Sequence, residues 1–274
     1  MEKLLYKYYS TASLLEHLDV LLDGKFWFGS HEVLNDPYDL LGANNLFNNF
    51  FIKQILGMVP KDRRKEFRLQ LKQFVSCSFS RVSSDRLMWA HYSTHQGFCV
   101  AYKFEDIKQL HVVNYMDQFP SIPITNIEKT YIQTENTIDL NIEMIIKNWI
   151  QNPFVKNMNQ LAIYLATIKS QEWAYEQEER LVEQIASSSL KGEALFWNQF
   201  RAYPQYVILG VKFFDNDKMS FSRIHGMREF LLKWHFDKSK VFQISTNSLK
   251  HFVLNIHPLD RKYFLRLGLQ NSAI

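Results

Sequence analysis

The chain has 274 residues, of which 46% are hydrophobic, 15% aromatic and 22% charged, with only nine Gly and seven Pro. This composition excludes a disordered or linker-rich chain and leaves room for one large domain or two small ones. A formal charge of +4 permits a polyanionic partner such as DNA or RNA without requiring one. The two cysteines, Cys77 and Cys99, cannot make a disulfide framework, so a reducing cytoplasm is the expected setting.

The opening "MEKLLYKYYS" has no apolar signal core, and no run approaches the roughly 20 apolar residues of a membrane span. A soluble protein without membrane contact is expected. Residues 4–9, "LLYKYY", read as a first strand, and "STASLLEHLDVLLDGK" reads as a helix capped by Ser10 or Thr11 and stopped by Gly24. "FWFGS" is a short strand. "NDPYD" is a turn, in which Pro37 pushes Asp36 out of the helical region. Asn35 and Asp36 either cap that turn or bind a ribose or phosphate.

Residues 45–72 read as two helices broken near Pro60, the second carrying the basic run "KDRRKEFRLQLK" on one solvated face. "FVSCSFS", 74–80, is a strand with Ser76, Ser78 and Ser80 in one row. "SSDRLMWAHY" opens with a helix cap at Ser84 or Asp85. "GFCVAYKF" and "HVVNY" are strands. Helix returns over 138–171 as an insertion-like layer. "EERLVEQI" and "QYVILGVKF" are strands, "MREFLLKWHF" is a helix, and "KVFQIS" and "HFVLNIH" close the chain as strands. The pattern predicts one α+β domain over 1–274 with a mixed, largely antiparallel sheet and helical insertions.

Four islands together resemble a bacterial family of unknown function, DUF2971. They are "YKYY", "FWFGSHEVLNDPYD", "SCSFSRVSSDRLMWAHYSTHQGFCVAY" and "KSQEWAYEQEERLV". The last two are the specific ones, pairing Trp-x-His-Tyr with a later Trp-x-x-Glu-x-Glu-x-Arg. The resemblance directs attention to a polar pocket without naming a reaction.

Several chemistries compete for these residues. His91 and His95 have the i, i+4 spacing of a helical zinc pair, with Glu176, Glu178 or His111 as a distant third ligand. Tyr92, however, stands where the protease motif has Glu. A Cys99–His91 or Cys77–His95 dyad would be nucleophilic, but each thiol sits in a strand that reads as core, where burial makes it inert. Glu176 and Glu178, at i and i+2, would project from one strand face with Arg180 next in the row. Lys169, Trp173 and Arg180 then form either an anion-binding rim or the packed end of a helix.

The Glu-x-Glu pair opening a late strand is also similar to ADP-ribosyltransferases. That likeness implies their kind of fold, with NAD as cofactor. It makes Glu178 the catalytic acid and Glu176 the residue that positions the acceptor. Tyr8, Lys7, Trp89, Tyr92, Asn35, Asp36 and Arg180 become cofactor contacts, and His91 a third catalytic candidate. The first strand lacks the His or Arg usual in such enzymes, so Lys7 or Tyr8 would serve there. This kind of family implies a role in toxin action or phage defence. The competing expectations are a nuclease or other phosphodiester hydrolase using His91, and a nucleic-acid-binding module in which the basic run supplies affinity.

Overall fold

Period-two alternation builds the centre of the protein. In β1 (Lys3–Tyr9) Leu5 and Tyr9 enter the main apolar core, while Tyr6 and Tyr8 join a smaller cluster around Trp89. In β2 (Lys25–Ser30) Phe26 and Phe28 are fully buried, whereas Trp27 between them is 45% exposed. The computed structural model describes residues 2–30, 33–34, 65, 73–117, 163–185, 191–246 and 254–269. The expected helices over 45–72, nearly all of the basic run within them and the "NDPYD" turn lie outside these residues.

Between β1 and β2, the expected single helix is two short ones, α1 (Thr11–Leu15) and α2 (Leu18–Leu22), and neither has a side-chain cap. Gly24 follows at φ +71°, the left-handed conformation that lets the chain turn into β2. The next elements are β3 (Phe74–Ser80), α3 (Arg86–Ser93), β4 (Phe98–Phe104), β5 (Leu110–Val112) and β6 (Asn114–Met116). Of the 138–171 stretch read as a helical layer, residues 163–166 are helical. That helix then gives way to strand β7 (Ile168–Ser170) and a 3-10 helix (Gln171–Glu176), while 138–162 lie outside the described residues. The chain continues through β8 (Glu178–Gln184), β9 (Gly192–Phe196), β10 (Ala202–Leu209) and α4 (Ser220–Lys233). It closes with β11 (Val241–Thr246), β12 (Leu254–Pro258) and α5 (Arg261–Arg266).

The fold is α+β, with a mixed, mostly antiparallel sheet of ten strands. Its main path runs β12-β11-β10-β4-β1-β3-β2-β9, with β8 also paired to β3 and β5 to β8. Among the described residues only β10–β11 is parallel within it, and β6–β7 form a separate parallel pair. Helices α1 and α2 pack with α4, whose Met227, Phe230 and Leu231 are completely buried in the main core. Helix α3 crosses the opposite face, where Trp89 packs against Tyr8. No helix among the described residues is long and apolar enough to cross a membrane.

One feature of this sheet creates space. Strand β3 pairs along its whole length with β8 but shares its other edge between two strands. It meets β2 at Ser76 and Val75, and β1 at the single position Tyr6↔Ser80. Between these ends the sheet is split. Lys7 reaches into the gap and donates from Nζ to the Ser78 carbonyl at 3.1 Å, satisfying an acceptor that no β1 backbone group reaches.

Helix α3 enters β4 through a tight crossing beside β1. A Cβ on Gly97 would lie 2.0 Å from the Tyr9 carbonyl oxygen, so Gly97→Ala would have to push β1 and β4 apart. We expect this variant to lose about 2 kcal/mol or more of stability, read as a lower denaturation midpoint with an unchanged slope.

Candidate functional site

The 3-10 helix and β8 deliver the two acidic residues by different routes. Glu176 ends the 3-10 helix, so it does not stand on the strand as the i, i+2 spacing suggested. Gln177 then adopts φ 45°, and this left-handed residue turns the chain into β8, which Glu178 opens. Ser80 locks the turn by donating from Oγ to the Glu176 carbonyl at 2.6 Å. The Glu178 backbone N–H donates to Tyr115 Oη at 2.8 Å.

The carboxylates converge on one buried cation. Lys169 Nζ lies 2.5 Å from Glu176 Oε2 and 3.2 Å from Glu178 Oε2. Arg180 forks onto Glu178, with Nε 2.7 Å from Oε1 and Nη2 2.8 Å from Oε2, and donates from Nη1 to the Ala166 carbonyl at 2.7 Å. Tyr92 Oη donates to Glu176 Oε1 at 2.5 Å. All four charged residues are buried, and their formal charges cancel.

Their protonation is unequal. Burial pushes Glu178 upward, but Arg180 and then Lys169 outweigh it and hold the carboxyl well below its ordinary range. Among the described residues no arginine pairs with Glu176. Burial, with the neighbouring Glu178 charge, raises it to about 7 against the pull of Lys169 and Tyr92. Tyr92 is itself driven far upward, by burial first and then by Glu176, so it stays a donor. Two carboxyls in one network thus divide the roles: one ionised throughout the neutral range, one titrating near neutrality.

A cavity of about 300 Å³ opens over this network, in the split between β1 and β3. Tyr6, Lys7 and Tyr8 line one side, and Ser76, Ser78 and Ser80 the other. Trp27 and Gly29 come from β2, Met88 and Tyr92 from α3. Glu176, Glu178 and Lys169 close the end. The wall is therefore aromatic, with a few converging polar groups, which is the usual make-up of a small-molecule site.

The expected site residues divide sharply. Glu176, Glu178, Lys7, Tyr8 and Tyr92 share the cavity. Trp89 does not. It is 0% exposed, donates from Nε1 to the Ser83 carbonyl and supports the Tyr8 ring edge-on at 5.2 Å. Arg180 is also 0% exposed, forks onto Glu178 and does not line the cavity. His91 is exposed on the outer side of α3, bonded from Nδ1 to Tyr175 Oη at 2.7 Å, and does not line the cavity. Asn35 and Asp36 lie outside the described residues.

The histidine pair of the zinc reading is not formed either. Asp85 caps α3 by accepting from the N–H groups of Leu87 and Met88, and the helix ends at Ser93. Thr94 and His95 follow at φ 49° and 60°, which takes His95 off the helical face that carries His91. Cys77 and Cys99 are buried in the sheet, and burial raises both thiols.

Residues 88–181 match the model of a family described as protein of unknown function (DUF2971). The match takes in Tyr92, Lys169, Glu176, Glu178 and Arg180, the whole charged network. Lys7, Tyr8, Trp27 and the serine row of β3 lie outside it. No curated protein and no solved structure matches the chain.

Trp27 and Tyr115 were missed in the sequence. Trp27 carried a signal, a lone large aromatic on the outward row of "FWFGS". Tyr115 carried none, because its place depends on the parallel β6–β7 pairing.

The network sets two expectations. Lys169→Met would leave Glu176 and Glu178 facing each other and should cost about 3–5 kcal/mol, measured by chemical denaturation. Glu176 binds its proton more tightly folded than unfolded. Its stabilising contribution is complete below about pH 4.5 and is lost as pH rises through about 7. Glu178 behaves oppositely, contributing above its unfolded value and losing that contribution in acid. Between pH 5 and 8, stability of the native protein should therefore fall relative to Glu176→Gln as pH rises. Denaturation curves of both proteins at both ends of that window give the difference directly.

Proposed function

We propose that the cavity is the active site of a nucleotide-directed enzyme, and that its reaction is NAD-dependent ADP-ribosyl transfer. The observation that carries this reading is Glu176: a carboxyl raised to about 7, facing an aromatic cavity and held by Tyr92 and Lys169. A base poised near neutrality suits removal of a proton from an acceptor nucleophile. The exposed Trp27 and half-buried Tyr8 give flat surfaces against which a nicotinamide or nucleobase can lie. The cavity's size suits the nicotinamide-ribose end of the dinucleotide, leaving the remainder outside.

In this reaction the bond between ribose C1′ and the nicotinamide nitrogen breaks, and its electron pair leaves with the ring. The acceptor attacks C1′, and its proton passes to the Glu176 carboxylate. Glu178 is bound on both oxygens by Arg180 and on one also by Lys169, so its part is to fix Lys169 and supply constant negative charge near C1′. The catalytic and positioning roles of the two acids are therefore exchanged relative to the sequence-based expectation. His91, outside the cavity, has no part in this step.

The test is nicotinamide release from NAD, with DNA, RNA and cell lysate offered as acceptors. The rate should rise with pH through about 7 as Glu176 ionises. Glu176→Gln should lower it by roughly 10²–10⁴-fold and remove that pH dependence, while His91→Ala leaves it unchanged. Absence of release with every acceptor, or full activity in folded Glu176→Gln, would sink the proposal.

A further inference from the structure

Three hydroxyls of β3 face the cavity, and two are already committed. Ser80 donates to the Glu176 carbonyl, and the Ser78 hydroxyl bonds the Glu178 carboxylate. Ser76 is different. It is 3% exposed, lines the cavity, and its Oγ has no hydrogen-bond partner. A buried hydroxyl cut off from both water and protein is costly to keep, and such groups in native proteins call for an explanation. A ligand atom in the cavity would supply the missing partner. Across the β2–β3 register, Ser76 stands opposite Gly29, which has no side chain to cover it.

Lys7 is the second group, a cation held by neutral partners. The other cations at this end are engaged, Lys169 by Glu176 and Glu178, and Arg180 by Glu178. Lys7 reaches the cavity from the core side of the split, and Nζ lies 5.2 Å from the Phe79 ring centroid and 5.9 Å from that of Tyr9. Its hydrogen-bond partners, the Ser78 carbonyl and the Cys77 thiol, are neutral, and among the described residues it has no carboxylate. With Glu176 ionised the network beside it is balanced, and among the described residues the Lys7 charge is not compensated. Ring faces attract that charge but do not neutralise it.

The geometry points to an oxyanion subsite in the floor of the cavity, where Lys7 supplies the charge and Ser76 an oriented hydrogen bond. Its ligand group is a phosphate or carboxylate carried by the substrate. This rests on reading the cavity as a substrate site, but not on NAD or on ADP-ribosyl transfer. The pairing of an ammonium with a hydroxyl donor is suited to an anionic oxygen, because both bonds strengthen when the acceptor is charged.

The experiment is titration of the full chain with inorganic phosphate and, separately, acetate, followed by phosphorus and proton NMR line broadening. Native protein, Ser76→Ala and Lys7→Met are compared, each with a thermal melt. The native protein is expected to bind one of the anions saturably; Ser76→Ala should weaken that binding at least fivefold and Lys7→Met should abolish it. Ser76→Ala should melt at or above the native temperature, since the lost hydroxyl had no partner, so it remains decisive if Lys7→Met does not fold. Binding of phosphate alone assigns the subsite to a phosphate ester, and binding of acetate alone to a carboxylate. No saturable binding to the native protein, or binding that a folded variant leaves unchanged, overturns the subsite. Neither readout depends on nicotinamide release, so the two proposals fail separately.

Discussion

The buried ammonium of Lys169 is the interaction on which the rest of the site depends. It sits between two carboxylates that would otherwise repel each other in a region shielded from water. Arg180 completes the balance by taking both oxygens of Glu178. Such a tetrad is weak evidence for stability, because desolvating four charges offsets much of their attraction. Its consequence is electrostatic asymmetry. Arg180 pins Glu178 in the ionised form, and Glu176, held by Lys169 and Tyr92, is left to titrate.

That asymmetry is set by backbone geometry as much as by charge. The left-handed Gln177 separates a residue that ends a 3-10 helix from one that opens a strand, so the two acids approach Lys169 from different directions. Tyr92 arrives from α3, and Ser80 from β3 holds the Glu176 backbone. Four chain segments meet here because β3 is shared between β1, β2 and β8. A continuous β1–β3 ladder would close the gap in which the cavity lies. Lys7, bonding the Ser78 carbonyl, stabilises the open arrangement.

The protein's aromatic richness has two uses. Phe26, Phe79, Tyr102 and Phe104 pack edge-to-face in the main core, with centroid separations between 4.9 and 5.1 Å for the closest pairs. On the other face, Trp89 supports Tyr8, which lines the cavity. The outer cluster of His91, Trp173 and Tyr175 is a third group, carried by the same elements as Tyr92 and Glu176 but turned away from the cavity. Adjacent residues thus serve opposite sides: 91 and 92 on α3, 175 and 176 on the 3-10 helix.

Much of this was determined by local sequence. Alternation in "FVSCSFS" and the short apolar and aromatic runs "LLYKYY" and "GFCVAYKF" were enough to place β3, β1 and β4, the last buried on both faces. A cap at Ser84 or Asp85 was legible because capping is chemistry within a few residues, and the structure gives it to Asp85. The charged and aromatic stretch "KSQEWAYEQEER" marked the polar cluster. Only the tertiary structure decided which of its members face the cavity. Helical and strand periodicity assign a side chain to a face but not to a neighbour 80 or 170 residues away. Trp89 and Tyr92 read alike in sequence, and packing buries one and turns the other to Glu176. The roles of Glu176 and Glu178 likewise diverge through Arg180, Lys169 and the turn at Gln177, because a carboxyl's ionisation reports the charges and burial around it, not its place in the chain.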